Sequence, residues 1–206
     1  HMDLVAGNQP IIQTILRYTA PTSDHRMDLQ IEQLTFAGRD DFPYFGVAAV
    51  LEQVDGVGEL IFPTADPFAS PQIHSRFCEE DRDAERLADC FLDALRFTES
   101  GPLGALTDEV VFPDVGRLSD RADVVALLRR FAASGYHPCG TARMGPLEDP
   151  TSVVDQYGRC HAVEGLVVAD ASIFPTVPRA NTNPTSIMVG ETIGEWLRTE
   201  PGRYGL

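Results

Sequence analysis

The chain has 206 residues, 43% of them hydrophobic and 23% charged, which allows a substantial buried core and argues against intrinsic disorder. Its 16 basic residues stand against 31 acidic ones, and the formal net charge of −15 disfavours nucleic acid and anionic membrane surfaces as partners. The longest apolar runs are far shorter than a membrane span, so we expect no membrane partner.

The first part of the chain predicts an antiparallel sheet. Residues 11–18 form an apolar strand segment that begins with β-branched residues. Residues 29–32 alternate as a half-buried strand does, before a phase slip at Gln33-Leu34 that indicates a bulge. Residues 44–54 and 59–62 are further strand segments. Because the strands follow one another with short connections, an antiparallel sheet is favoured over a doubly wound one.

Two turn segments flank the strand predicted at residues 59–62. Gly56-Val57-Gly58 predicts a tight turn into that strand. It is not a dinucleotide-binding fingerprint, because the third glycine is absent. Residues 63–71 are rich in turn-forming residues and predict a loop that ends the sheet.

Two helices are predicted after the sheet. The first starts near Glu79 with an acidic first turn, which suits the helix dipole, and its apolar residues recur at helical spacing. Ser119 is the expected N-cap of the second helix, which ends near Ser134-Gly135. The apolar face of the first helix comprises Leu87, Cys90, Phe91, Ala94 and Leu95.

The last part of the chain is irregular apart from two elements. Residues 166–169 are a short apolar run and predict a buried strand of the parallel type, which ends at Asp170. Asn183-Pro184 supplies the expected N-cap and first-turn proline of a final helix that continues to about Arg198. We therefore predict an α+β fold, in which a mostly antiparallel sheet with flanking helices precedes a carboxyl-terminal strand–helix segment.

The four cysteines are irregularly spaced and form no CxxC motif. No secretory signal precedes them in the sequence. This pattern fits a reduced protein better than a disulfide framework, so we expect a cytoplasmic location.

His137 is the strongest candidate for a functional side chain. It lies in the segment 136–145, where a proline restricts the backbone and two glycines allow tight turns. No periodic pattern indicates a core element there. A general acid or base needs an imidazole on such a rigid, non-regular support.

A metal site competes for the same part of the chain. His137, Cys139, Cys160 and His161 are all suitable zinc ligands. However, neighbouring residues rarely both bind one tetrahedral zinc ion, so the adjacent Cys160-His161 pair disfavours this interpretation.

A second group of polar residues begins at Asp170. Ligands of α/β proteins gather at the carboxyl ends of strands, and a helix that starts at Asn183 would present free N–H groups and the positive end of its dipole. Asn183 is equally explained as a plain helix cap. A strand-end acid, a helix N-terminus and a loop histidine nevertheless indicate an anionic or hydride-accepting ligand.

An ordered series of short motifs runs through this region. The motifs are HPCGTARMG at residues 137–145, VVD at 153–155, VEGL at 163–166, VADASIFP at 168–175, NTNPT at 181–185, and Glu191. The series resembles the carboxyl-terminal region of the glucose-methanol-choline (GMC) oxidoreductases. These are FAD-dependent enzymes that include choline and other alcohol dehydrogenases and oxidases.

The resemblance implies catalytic roles for two residues. His137 matches the catalytic histidine, which would take the proton of the substrate hydroxyl while the carbinol hydride passes to the flavin. Asn183 matches the second catalytic position, which would hydrogen-bond the substrate oxygen. Asn181 is the alternative if the motif is aligned two residues earlier.

The resemblance also implies which residues approach FAD. Asp170 with Ala171 matches the pair that lies near the ribityl chain and pyrophosphate. The backbone at Pro184 and Thr185 would face the pyrimidine edge of the flavin, where the helix dipole stabilises the anionic reduced ring.

One large part of the family pattern is missing. Family members carry, ahead of this region, an amino-terminal portion with a GxGxxG unit that holds the ADP part of FAD. By this comparison, residues 1–134 are a substrate-binding sheet with its helices, and residues 135–206 are a catalytic segment that completes the flavin domain.

The resemblance therefore implies the carboxyl-terminal portion of an FAD-dependent enzyme that oxidises a small alcohol. In isolation we expect it to be inactive and to lack FAD, and we expect the amino-terminal FAD-binding portion to be its partner. The alternatives are a stand-alone binding module and one subunit of a split flavoenzyme.

Overall fold

The computed structural model describes residues 10–36 and 44–206. The chain divides into two compact units. The first combines His1–Gly56 with Phe77–Ala132, and the second combines Val57–Arg76 with Ala133–Leu206. The second unit thus takes residues 57–76 from within the segment that the sequence assigns to the sheet.

The first unit contains a three-stranded antiparallel sheet in the order β1-β2-β3. Its strands are β1 (Ile12–Tyr18), β2 (Leu29–Phe36) and β3 (Tyr44–Leu51). This confirms the predicted antiparallel strands. The predicted bulge belongs to the other strand of the pair, since Ile12 faces Leu34 while Thr14 faces Gln33, which leaves one extra residue in β1.

Helix α1 (Asp81–Glu99) packs on this sheet, as its apolar periodicity predicts. The short helix α2 (Gly101–Gly104) and helix α3 (Arg121–Phe131) follow it. The core between α1, α3 and the sheet contains Leu29, Ile31, Ala84, Leu87, Ala88, Cys90, Ala94, Val124 and Leu128.

The start of α3 differs by one residue from the prediction. Asp120, not Ser119, is the N-cap, and its carboxylate accepts the Asp123 N–H at 3.0 Å. The Asp123 carboxylate in turn accepts the Ser119 N–H at 2.8 Å, so carboxylates satisfy two amide groups at the start of the helix. The helix ends at Phe131 because Ala132 turns to an extended conformation, short of the predicted end at Ser134-Gly135.

A buried ion network connects α1 to the loops at the ends of the strands. The Arg86 guanidinium lies 3.1 Å from Asp28, 2.7 Å from Asp83 and 3.1 Å from Asp55. Arg86 is 2% exposed and Asp28 is fully buried. Burial works to raise the pKa of Asp28, but hydrogen bonds from Ser23, from the Ala20 N–H and from Arg86 lower it below its usual range. Asp28 is therefore charged at neutral pH.

The second unit begins with a hairpin. Strand β4 (Glu59–Ile61) pairs antiparallel with β5 (Gln72–His74), so residues 63–71 connect two strands instead of ending a sheet. Gly56-Val57-Gly58 forms no tight turn and leads directly into β4. A Cβ atom on Gly58 would lie 2.6 Å from the His74 carbonyl oxygen, so this close approach explains the glycine.

Helix α4 (Thr182–Thr199) is the main element of the second unit. It packs on the buried residues Val154, Ile173 and Phe174 through its own Ile193. Two 3-10 turns, Ala171–Ile173 and Pro201–Tyr204, precede and follow α4. None of the helices in the described part of the chain is long and apolar enough to cross a membrane.

The start of α4 corrects a second prediction. The helix begins at Thr182, with Asn181 at the N-cap position, two residues before the predicted cap Asn183. Proline has no amide hydrogen, but the amide groups of the first turn form no hydrogen bond within the helix. Pro184 is therefore tolerated as the third helical residue.

The prediction of a parallel strand at residues 166–169 is wrong. Val167 forms only an isolated antiparallel bridge with Arg159, and the Val168 N–H donates to the Gly158 carbonyl at 2.8 Å. The apolar run therefore pairs with a short nearby segment. Leu166, at 47% exposure, is not in the core.

We expect Arg86→Met to destabilise the chain by about 3–5 kcal/mol, because it leaves buried carboxylates without their counter-charge. Urea denaturation followed by circular dichroism measures this change. Arg96→Met on the same helix is the matched control, since the Arg96 side chain is 74% exposed beside Asp93 and its loss costs at most about 1 kcal/mol. Equal effects of the two substitutions would contradict the role of the buried network.

The stability difference between wild type and Arg86→Met should narrow as the pH is lowered from about 7 toward the ordinary aspartate pKa of about 3.9. The lowered pKa of Asp28 stabilises the wild-type fold at every pH above the ordinary aspartate pKa, and this stabilisation is lost only as the pH falls further, through the folded-state pKa. In Arg86→Met, protonation of the buried carboxylates that have lost their cation stabilises the folded state. A constant difference across this range would show that Asp28 is not linked to Arg86.

Gly158→Ala should destabilise the second unit far more than Gly165→Ala. Both glycines have a φ of +75°, which costs an alanine about 1–2 kcal/mol. At Gly158 a Cβ atom would also lie 2.4 Å from the Val168 oxygen, which adds about 1–3 kcal/mol of overpacking, whereas at Gly165 it would meet open space. Denaturation followed by the fluorescence of Trp196, the single tryptophan, reports on this unit.

Candidate functional site

Backbone hydrogen bonds hold the His137 loop against the first 3-10 turn. The N–H groups of Gly140, Ala142 and Met144 donate to the consecutive carbonyls of Ala171, Ser172 and Ile173, at 3.1, 2.8 and 2.9 Å. This short ladder connects residues that are about thirty positions apart in the sequence. It fixes the loop that carries His137 to the segment that leads into α4.

Gly140 is required by this arrangement. Its φ is +79°, and a Cβ atom would lie 3.3 Å from the Phe174 carbonyl oxygen. The backbone therefore passes closely over the residue that follows the 3-10 turn.

Asp170 caps the same turn. Its Oδ1 accepts the Ser172 N–H at 2.8 Å and the Ser172 hydroxyl at 2.6 Å, and these two bonds hold the pKa of the exposed carboxyl below its usual range. The predicted pair Asp170-Ala171 thus lies at the turn to which the His137 loop is bonded.

The imidazole of His137 is held from both sides by the start of α4. Its Nδ1 lies 3.0 Å from the Thr182 hydroxyl oxygen, and its Nε2 lies 2.8 Å from the Asn181 amide nitrogen. His137 itself is half-buried. The structure thus brings together two segments that are 44 and 45 positions apart in sequence.

Asn183 does not take part in this cluster. Its side chain is exposed in the first turn of α4, and among the described residues Asn181 and Thr182 hold the imidazole. Asn181, the residue of the alternative alignment, is the asparagine that contacts His137. The difference arises because the helix starts two residues earlier than its Asn-Pro pair predicts.

Pro184 and Thr185 lie in the first turn of α4, directly after this cluster. The Thr182 N–H is directed to the imidazole at 3.4 Å and Pro184 has none, so Asn183 carries the first-turn amide hydrogen that remains for another acceptor. This amide and the exposed Asp170 carboxylate are two polar groups that could contact a cofactor.

Thr182 was missed by sequence reasoning. A threonine between two asparagines at a helix start carries no local sign of contact with a histidine far back in the chain. Only the pairing of the His137 loop with the 3-10 turn brings it there.

The alternative metal site is not assembled. Cys139 packs against the core of the second unit, and burial raises the pKa of its thiol. His161 Nε2 lies 3.1 Å from the Gly145 carbonyl oxygen, to which it can donate. Within residues 10–36 and 44–206 no group of three or more His, Cys, Asp or Glu side chains is placed to hold a metal ion, and the four cysteines are free thiols.

Comparison with known protein families assigns the chain to one of them. A model of the family described as GMC oxidoreductase matches residues 56–190. The chain belongs to the GMC oxidoreductase family. The matched region contains the His137 loop, the Asp170 turn and the first half of α4, and it corresponds to the carboxyl-terminal region of GMC proteins.

Two curated relatives show how much of a GMC protein the chain represents. It is 37% identical over 140 residues to an oxygen-dependent choline dehydrogenase of Rhizobium johnstonii, covering 68% of this chain and 25% of the relative. It is 33% identical over 179 residues to a 5-(hydroxymethyl)furfural oxidase of Methylovorus sp., covering 77% of this chain and 32% of the relative. The chain thus spans about a quarter to a third of these GMC relatives.

Solved structures confirm the fold. The chain superposes on formate oxidase from Aspergillus oryzae, a protein described for its FAD modification, with a TM-score of 0.73 at 22% identity. The match covers 85% of this chain and 32% of that protein. At this identity the likeness shows that the chain has a GMC fold.

Proposed function

We propose that this chain is the carboxyl-terminal, substrate-binding and catalytic portion of an FAD-dependent GMC oxidoreductase that oxidises the CH–OH group of a small alcohol. The observation that supports the proposal is the His137 imidazole, which is held at Nδ1 by Thr182 and faces the Asn181 amide at Nε2. The named substrates of the two relatives, choline and 5-(hydroxymethyl)furfural, each carry a primary hydroxyl group.

His137 and Asn181 together suit an alcohol oxygen. The Asn181 amide nitrogen is a donor, and the Nε2 atom opposite it is an acceptor when Nδ1 carries the proton. An alcohol that replaces the direct contact between them would accept from Asn181 and donate its hydroxyl proton to His137. The resulting alkoxide would be stabilised by the amide and by the imidazolium. Bound FAD would supply the acceptor for the carbinol hydride.

The residues that would hold FAD form a donor set that fits it. The start of α4 offers the Asn183 amide hydrogen and the positive end of the helix dipole, which suit a flavin ring that becomes anionic on reduction. Pro184 and Thr185 would contribute their backbone to the same edge. Asp170, which is exposed and charged, would accept from ribityl hydroxyls beside Ala171.

The arrangement favours catalysis over a stand-alone binding module. A module that only bound a ligand would have no use for an imidazole opposed by an amide at its proton-accepting atom. We further propose that the partner of this chain is the amino-terminal FAD-binding portion of the same enzyme and that the enzyme is cytoplasmic.

In the enzyme that includes the amino-terminal portion, His137→Ala should slow flavin reduction by a primary alcohol about 10²-fold or more, because the hydroxyl proton loses its acceptor. Single-turnover stopped-flow absorbance measures this rate. Unchanged reduction in the variant would remove His137 from the mechanism.

Asn181→Ala should lower the same rate about 10²-fold, as the loss of one donor to a developing alkoxide does. Asn183→Ala is the matched comparison from the same turn, and we expect a clearly smaller effect because its side chain is exposed and the imidazole contacts come from Asn181 and Thr182. The reverse order of effects would favour Asn183 as the second catalytic position.

The isolated 206-residue chain should bind no FAD when it is purified in the presence of excess cofactor, because the predicted ADP-binding unit is absent from it. The visible absorbance spectrum after gel filtration tests this expectation. A stoichiometric flavin spectrum would contradict the need for an amino-terminal partner.

A further inference from the structure

We infer that Thr182 is a positioning residue whose hydroxyl oxygen accepts the Nδ1–H of His137 and so keeps the Nε2 lone pair available for the substrate proton. The inference rests on the proposed function of His137 as the base, and it adds the group that sets the protonation pattern of that base.

Thr182 is placed where its polar groups depend on the protein. The residue is 8% exposed, and its Oγ1 lies 3.0 Å from Nδ1. Its carbonyl oxygen accepts the Ser186 hydroxyl at 2.8 Å within α4. Because buried polar groups are almost always hydrogen-bonded, the contact between the hydroxyl and Nδ1 constrains both partners.

The two neutral forms of His137 fit this environment unequally. With the proton on Nδ1, that atom donates to Thr182 Oγ1 while the Asn181 amide nitrogen donates to Nε2, so both contacts are satisfied. With the proton on Nε2, two donors face each other across 2.8 Å, and the Asn181 amide must turn over to present its oxygen. Because the proposed base needs its lone pair at Nε2, the proton belongs on Nδ1, where the Thr182 hydroxyl oxygen lies 3.0 Å away and can accept it.

A competing donor makes the hydroxyl necessary. The backbone N–H of Thr182 lies 3.4 Å from Nδ1 and would favour a bare nitrogen at that position. The hydroxyl oxygen, 3.0 Å from Nδ1, can accept a proton held on that nitrogen, which an amide N–H cannot do. Without the hydroxyl, the amide is the remaining partner of Nδ1 and the proton moves to Nε2.

The placement of this proton matters for proton transfer. A base receives a proton through a lone pair, and an Nε2 that already carries hydrogen has none to offer. After transfer both ring nitrogens carry hydrogen, and the Nδ1–H bond to Thr182 persists and stabilises the imidazolium. Thr182 thus acts through His137 and does not contact the substrate.

The direct test is the ¹⁵N resonance pattern of the His137 ring in the isolated chain, recorded at a pH where the imidazole is neutral. We expect a protonated, pyrrole-type Nδ1 and a pyridine-type Nε2 in the wild type. Thr182→Val keeps the shape but removes the hydroxyl, and it should reverse the two signals. Thr182→Ser restores the hydroxyl and should restore the wild-type pattern.

Each outcome of this test decides the inference. A pyridine-type Nδ1 in the wild type overturns it, and this result needs no variant. An unchanged pattern in a Thr182→Val chain that keeps its amide spectrum also overturns it. If the valine variant does not fold, the wild-type spectrum and Thr182→Ser carry the test.

A second measurement uses the enzyme that includes the amino-terminal portion. Thr182→Val should lower kcat about 10-fold or more with little change in KM, and Thr182→Ser should recover most of the loss. A parallel rise in KM without serine rescue would indicate a packing defect and contradict positioning. If His137→Ala stayed active while the ring signals behaved as expected, the proposed function alone would fail.

Discussion

The short backbone ladder between residues 140–144 and the carbonyls of Ala171–Ile173 is the constraint on which the site depends. It satisfies the amides of an irregular loop that has no other regular partner, and it places Ile173 and Phe174 in the core beneath. Because α4 follows this turn after a few residues, the same ladder determines which residues of the helix start meet His137. The arrangement around His137 is therefore a consequence of backbone pairing as much as of side-chain type.

The first unit is stabilised in a different way. There, Arg86 neutralises buried carboxylates, so the sheet and α1 are joined by charge as well as by apolar packing. The second unit also contains ion pairs, but these lie near the surface. The half-buried Asp149, for example, has a pKa of about 2, lowered first by hydrogen bonds from Thr151 and then by Arg143. Lowering the pH should consequently destabilise the two units through the protonation of different carboxylates.

The start of α4 departs from the usual pattern of helix capping. Asn181 occupies the N-cap position, where an asparagine side chain usually accepts a first-turn amide and adds about 1 kcal/mol of stability, yet it makes no such bond. Its amide contacts His137 instead, and the Thr182 hydroxyl and amide are directed to the same ring. A helix end that forgoes its own cap is expected where function constrains the side chains.

The sequence by itself determined the antiparallel strands, the position of α1, the end of α4 and the family, because periodicity and contiguous motifs are local properties. It also singled out His137 from the texture of its loop. Tertiary structure decided what local patterns do not contain: the true start of α4, the absence of a strand at residues 166–169, and the contact of His137 with Asn181. Each depends on a partner distant in the chain, such as His137 for Asn181 across 44 positions, and no local propensity records which backbone will lie there.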